Sequence, residues 1–213
     1  MPRYRITFAK NEAMRFTGNL DLHRAWERTF RRAGLPLAYS EGFSPHPRLA
    51  LAAALPLGCL SENDLLDAWL AADVPDEAVM SDLGHAAPPG LAVLSVTRPD
   101  TREPSLPAQV VSAEYSVRLD DPPSLSDLET RAASLLSAAH LPRQRRGKDY
   151  DLRPLIEGLE IRDAGQGLWI RLAAREGATG RPEEVLAALD LDPARALCRR
   201  TRLSLSALVI AQA

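Results

Sequence analysis

Lysine is nearly missing from this chain. Of its 26 basic residues only Lys10 and Lys148 are lysines, and the rest are arginines, whose planar forks match phosphate oxygens better than a point ammonium does. Cysteine is scarce too. Cys59 and Cys198 stand far apart with no CxxC pattern, which excludes a zinc knot or an iron–sulfur cluster held by this chain alone. In a reducing compartment they read as two small buried hydrophobes rather than a disulfide. The four histidines show no metal-ligating helical spacing, so no metal site is expected. No apolar run reaches the roughly 18 residues that a membrane helix needs. The opening MPRYRITFAK alternates like a strand and has no apolar signal core, so a cytoplasmic protein is expected. There is no Walker loop, no GxGxxG and no nucleophile elbow around Ser40 or Ser44. Aromatics make up 5%, too few for the dense signature that RNA-recognition sheets carry on their central strands.

What is present is unevenly charged. Residues 1–50 hold nine basic side chains against four acids, and residues 51–100 hold one against eight. A net +5 beside a net −7 predicts a polarised surface whose first quarter attracts anions.

Periodicity supplies the fold class. Arg3 to Lys10 alternates as a half-buried strand. A helix follows, with Asn19 as its cap and Asp21 in its first turn. Leu22, Ala25, Trp26, Thr29, Phe30 and Ala33 form its buried stripe, with Arg24, Arg28, Arg31 and Arg32 opposite, and Gly34 and Pro36 stop it. Residues 48–55 and 64–73 read as a strand pair around a turn at 58–61. A helix at 75–87 opens on Pro75, and 91–97 is a strand. A proline-rich stretch, 99–112, reads as a linker. The second half repeats the order: strand 114–119, helix 124–139 with Ser126 and Glu129 as a capping box, hairpin 159–174, helix 181–189 and strand 196–205. The basic run at 140–158 has no assigned form. The expected fold is α+β, two tandem ferredoxin-like (βαββαβ) units, at 1–98 and 113–213.

Three clusters bear on chemistry. Tyr39, Glu41, Gly42, Phe43, Pro45, His46, Pro47 and Arg48 form a proline-stiffened segment between the first helix and the second strand. It reads either as a rigid polar site, with His46 donating to phosphate or moving protons, or as a plain connector. Arg24, Arg28 and Arg31 fall at i, i+4 and i+7, either a phosphate-tracking stripe or the solvated face of an amphipathic helix diluted by Glu27. Arg143, Arg145, Arg146 and Lys148, with Arg153 just beyond, form a second basic run around Gly147.

The stretch RFTGNLDLHRAWERTFRRAGLPLAYSEGFSPHPRLALAAALPLG (15–58) resembles the radical-SAM-linked family, a bacterial domain of unknown function. The likeness lies in Arg15–Phe16, Leu20–Asp21, Glu27–Arg28, Arg31–Arg32–Ala33, Tyr39–Ser40–Glu41–Gly42–Phe43, Pro45–His46–Pro47 and, later, Asp151–Leu152–Arg153–Pro154. Two positions depart from the pattern: Asn19 stands where the family usually has histidine, and Ser44 where many members have asparagine. Asn19 transfers no proton at neutral pH. The resemblance implies a companion radical S-adenosylmethionine (radical SAM) protein, encoded beside or fused to such chains, often near ribosomal-protein and ribonuclease E/G genes. That companion would carry the iron–sulfur cluster and the S-adenosylmethionine, since this chain lacks the cysteine triplet. RNA, tRNA or rRNA, is the substrate class it suggests.

The leading expectation is therefore an accessory RNA-binding or substrate-presenting module. Arg24, Arg28, Arg31, Arg48, Arg145, Arg146 and Arg153 would hold phosphate, and Asn19, Asp21 and the segment from Tyr39 to Pro47 would shape the contact. One alternative is an RNA-processing or RNA-modifying enzyme using His46 or His23, since tandem ferredoxin-like units also occur in CRISPR repeat endoribonucleases and pseudouridine synthases. Another is a protein-interaction scaffold.

Overall fold

A computed structural model describes residues 1–145 and 147–206. Its contacts divide the chain into two units, Met1–Val110 with Leu205 and Ser206, and Val111–Ser204.

The first unit runs β1 (Arg3–Lys10), α1 (Asn19–Arg32), β2 (Leu49–Leu51), β3 (Leu60–Trp69), α2 (Asp76–Ala86), β4 (Leu91–Thr97) and the single turn α3 (Leu106–Gln109). Its strands lie in the order β4, β1, β3, β2, and each neighbouring pair is antiparallel. Fourth, first, third, second is the ferredoxin-like order. The alternation of β1 sends Tyr4, Ile6 and Phe8 into the core, all fully buried, where they join Leu22, Ala25, Trp26 and Phe30 of α1 and Val79 and Leu83 of α2. Phe8 meets Trp26 edge-on at 5.1 Å, a favoured aromatic geometry.

The odd positions of β1 face away from that core. Arg3 and Arg5 both bind the fully buried carboxylate of Asp67 on β3, Arg3 through Nε at 2.7 Å and Arg5 through Nε at 2.9 Å. Arg5 also pairs with Glu103, and Arg3 donates to the carbonyls of Glu103 and Pro104. The stretch read as a linker is thus fastened to β1, and its end holds α3 and the first residues of the next strand.

The second unit runs β5 (Val110–Leu119), α4 (Leu125–Ser137), β6 (Pro142–Arg145), β7 (Lys148–Asp151), β8 (Ile156–Arg162), β9 (Gly167–Arg175), the short β10 (Ala178–Thr179), α5 (Pro182–Ala188) and β11 (Ala196–Leu205). Leu168 of β9 pairs with Val117 on one side and Ile161 on the other, so the principal strands follow β11, β5, β9, β8. That is the same fourth, first, third, second order. The fold is α+β with two ferredoxin-like units, and β6 and β7 form a separate hairpin inserted between α4 and β8.

Several local expectations are corrected. The second strand is three residues long rather than 48–55, because the chain bends after Leu51, where Ala52 N–H already donates to the Leu65 carbonyl. The third strand starts at Leu60 and ends at Trp69, several residues earlier than expected, since its register follows β1 (Lys10 opposite Ser61, Arg3 opposite Trp69). Gly18, not Asn19, caps α1, and Asn19 is its first residue. Ser124, not Ser126, caps α4: its Oγ accepts from Asp127 N–H at 3.2 Å and donates to the Asp127 carboxylate at 2.7 Å. Cys59 and Cys198 are buried and not joined in a disulfide.

Candidate functional site

The proline-braced segment is a narrow finger. At its base Arg48 N–H donates to the Ala38 carbonyl at 2.8 Å, while Ala38 N–H donates to the Trp69 carbonyl and Trp69 N–H to that of Arg48. Both legs are therefore tied to the end of β3. Further out, Ser40 N–H donates to the His46 carbonyl at 2.9 Å and His46 N–H to Ser40 Oγ at 3.0 Å, with Tyr39 bridged to Pro47. Pro45 and Pro47 offer no N–H and restrict φ, so this ladder is their compensation. Gly42 turns the tip at φ +121°, a value that side-chain-bearing residues rarely adopt. Phe43 stands there fully exposed, at 110% of its reference area, beside exposed Glu41.

His46 is held by its main chain, and its imidazole is exposed. His23 is different. Its Nδ1 lies 3.1 Å from Glu27 Oε1 and its Nε2 3.4 Å from the Leu49 carbonyl, so both ring nitrogens face acceptors. It joins α1 to β2, where the finger ends, and it occupies Glu27. Among the described residues neither histidine is part of a nucleophile–base pair, the arrangement that general acid–base work on RNA would call for.

On the outer face of α1, Arg24, Arg28 and Arg31 are exposed. Arg24 makes a 3.4 Å contact to Asp21, itself exposed, a pair that contributes little. Among the described residues no acid pairs with Arg28 or Arg31.

Of the other predicted arginines, Arg145 and Arg153 are built into the framework, while Arg48 stays exposed. Arg48 lies over the Trp69 indole at 5.0 Å, with Arg3 at 5.5 Å from the same ring. Arg145 clamps Glu184 with Nη2–Oε2 at 2.5 Å and Nε–Oε1 at 3.1 Å, donates to the Thr179 carbonyl, and stacks on Tyr150 at 4.8 Å. Burial opposes its charge, but the Glu184 carboxylate outweighs that and raises its pKa. Burial, reinforced by Glu184, raises the Tyr150 phenol as well. Arg153 donates from Nε and Nη2 to the Leu136 carbonyl at the end of α4 and from Nη1 to that of Ile156. Asp151 Oδ1 accepts from the N–H groups of Leu141 and Arg153, and Oδ2 lies 2.8 Å from His140 Nδ1. The Leu141 N–H, then His140, then the Arg153 N–H hold its carboxyl down at about 2. The Asp-Leu-Arg-Pro run is therefore a structural clasp that closes α4 onto the hairpin. Arg146 lies outside the described residues.

Two residues escaped the sequence reading. Trp69 and Trp169 each stand on the third strand of their unit, alternating with buried Ala68 and Leu70 and with buried Leu168 and Ile170. Each carries a guanidinium over its ring, Arg162 serving Trp169 at 5.5 Å. Gly158 is required beside the second, because a Cβ there would lie 2.7 Å from the Trp169 ring. Period-2 alternation in two halves of like order could have placed both on one face.

The fold and this surface define an α+β chain of two ferredoxin-like units with a basic helix and an exposed finger. The chain belongs to the family described as an uncharacterized protein conserved in bacteria (DUF2344), which it matches over residues 3–182. No curated protein matches it. Among solved structures it is similar to a chain of an H/ACA RNP bound to a substrate RNA containing 2′-deoxyuridine, at 11% identity and a TM-score of 0.43 over 92% of this chain and 47% of that one. A chain of the archaeal box H/ACA sRNP Nop10–Cbf5 complex gives 11% and 0.43 over 93% and 47%. The small subunit of acetolactate synthase from Thermotoga maritima gives 12% and 0.28 over 98% and 99%. The chain thus spans about half the length of the two H/ACA chains. No helix among the described residues is long and apolar enough to cross a membrane.

Proposed function

We propose that this chain is an accessory that binds RNA and presents it to a separate radical SAM enzyme, whose own chain would carry the iron–sulfur cluster and S-adenosylmethionine. One observation carries the RNA part: Arg24, Arg28 and Arg31 line a single exposed face of α1, where Arg24 meets only the exposed Asp21 at 3.4 Å and Glu27 is engaged by His23. Arginines so placed meet phosphates spaced along a strand at the cost of no more than the weak, exposed Arg24–Asp21 contact. The partner rests on the resemblance of residues 15–58 and 151–154 to the radical-SAM-linked pattern. Arg145 and Arg153 are held by internal partners, so the proposed phosphate-holding set is centred on the α1 stripe.

Filter binding across a salt series tests it. Three phosphate contacts to a single strand give a log–log slope of about −2. Binding that is absent, or that ignores salt, ends the RNA reading. Co-purification of the radical SAM protein with the tagged chain, free of RNA, would favour the scaffold instead.

A further inference from the structure

We infer that the finger is a base-reading element, with Phe43 stacking on an unpaired base while the α1 arginines hold the neighbouring phosphates. This rests on the RNA reading above and specifies its substrate class: single-stranded or loop RNA rather than duplex.

The distribution of aromatics leads to it. The chain has eleven, and those that are more than a third exposed are Phe43, Phe16 at 73% and Tyr39 at 47%. All three fall between residues 16 and 43, the same stretch that carries Arg24, Arg28 and Arg31. Elsewhere in the first unit the rings are buried in the core or covered by guanidinium. Leaving a phenyl ring in water gives up about 2 kcal/mol of burial, which makes a fully exposed one on a stiff support informative.

Chemistry selects the occupant. Exposed rings in the same stretch as exposed guanidinium groups match a strand whose bases are apolar plates and whose backbone is anionic. The groups are also sorted. Arginines line the helix, while the one charge at the fingertip is Glu41, which repels phosphate and offers acceptors to base N–H groups. His23 fixes the two parts to each other through its contacts to Glu27 and Leu49. The ladder at the finger's base and its two prolines pre-organise the tip, so little conformational entropy is lost when it is covered. A duplex keeps its bases stacked and shows the finger only backbone.

The test uses the full chain, an unstructured single-stranded RNA and a perfect duplex with the same number of phosphates. The wild type prefers the single strand. Phe43→Ala weakens single-strand binding about tenfold or more and leaves the duplex unchanged, since a stacked base contributes roughly 1–3 kcal/mol. Phe43→Trp restores the preference. Phe43 is fully exposed, so an unchanged thermal melt certifies each variant. Equal effects of Phe43→Ala on both probes, or no effect on either, overturn the inference and leave the RNA reading standing. Loss of radical-SAM-protein capture with unchanged RNA binding overturns it in favour of a protein contact. Failure of the wild type to bind either probe removes the RNA reading and this inference with it.

Discussion

The two units share an element order and a strand order, yet the arginines of their basic stretches are used differently. In the first, Arg24, Arg28 and Arg31 stand on a helix face with little to hold them. In the second, two arginines that looked equally available are absorbed by the framework: Arg145 clamps Glu184, and Arg153 ties down the end of α4. Sequence charge density was similar in both places. What differs is the supply of acids and free carbonyls from distant parts of the chain, and a local window does not show that supply.

The largest effect that would sharpen this contrast is inside the first unit. Asp67 is fully buried and pairs with both Arg3 and Arg5, so Asp67→Ala leaves Arg3 with carbonyl partners alone and Arg5 with Glu103 alone. Urea unfolding should show a loss of about 3–5 kcal/mol. Next comes Arg145→Gln, which breaks a partly exposed clamp and a ring stack; discounted for solvent screening, the loss is about 1–2 kcal/mol, with RNA affinity unchanged. Arg28→Gln should do the reverse. Its melt stays within about 0.5 kcal/mol of the parent, while single-strand affinity falls and the salt slope shrinks by about 0.7. If Arg145→Gln weakened RNA binding as much as Arg28→Gln, the contrast between the units would be lost.

The smallest effect is in acid. The Asp151 carboxyl sits at about 2 in the folded chain against an ordinary 3.8. A depressed carboxyl stabilises above its unfolded value, and that contribution disappears as pH falls from about 4 towards 2. Melting temperature against pH should therefore drop over that window in the parent, and more shallowly in Asp151→Asn. Parallel curves would show that the clasp contributes nothing.

Much of the framework was legible in the sequence. The stripe from Leu22 to Phe30 and the alternation of Tyr4, Ile6 and Phe8 follow from helix and strand geometry, and Gly34 and Pro36 marked where the first helix ends. The finger was half legible: Pro45 and Pro47 announced stiffness, but the Ser40–His46 ladder depends on a turn whose form Gly42 sets. The β6–β7 hairpin left no periodic apolar signal, because Arg145 is fixed by Glu184, 39 positions away. Trp69 and Trp169 were missed because the face they occupy is decided by register against β1 and β5 rather than by composition.

The central claim, that the first unit's helix face is where RNA is held, is tested most directly by one paired titration. Single-strand affinity is measured against salt for the parent, for the Arg24, Arg28 and Arg31→Gln triple variant, and for Arg145→Gln. The account predicts that the triple variant loses nearly all of the salt slope while Arg145→Gln keeps it. A triple variant that binds with the parent's slope would contradict it.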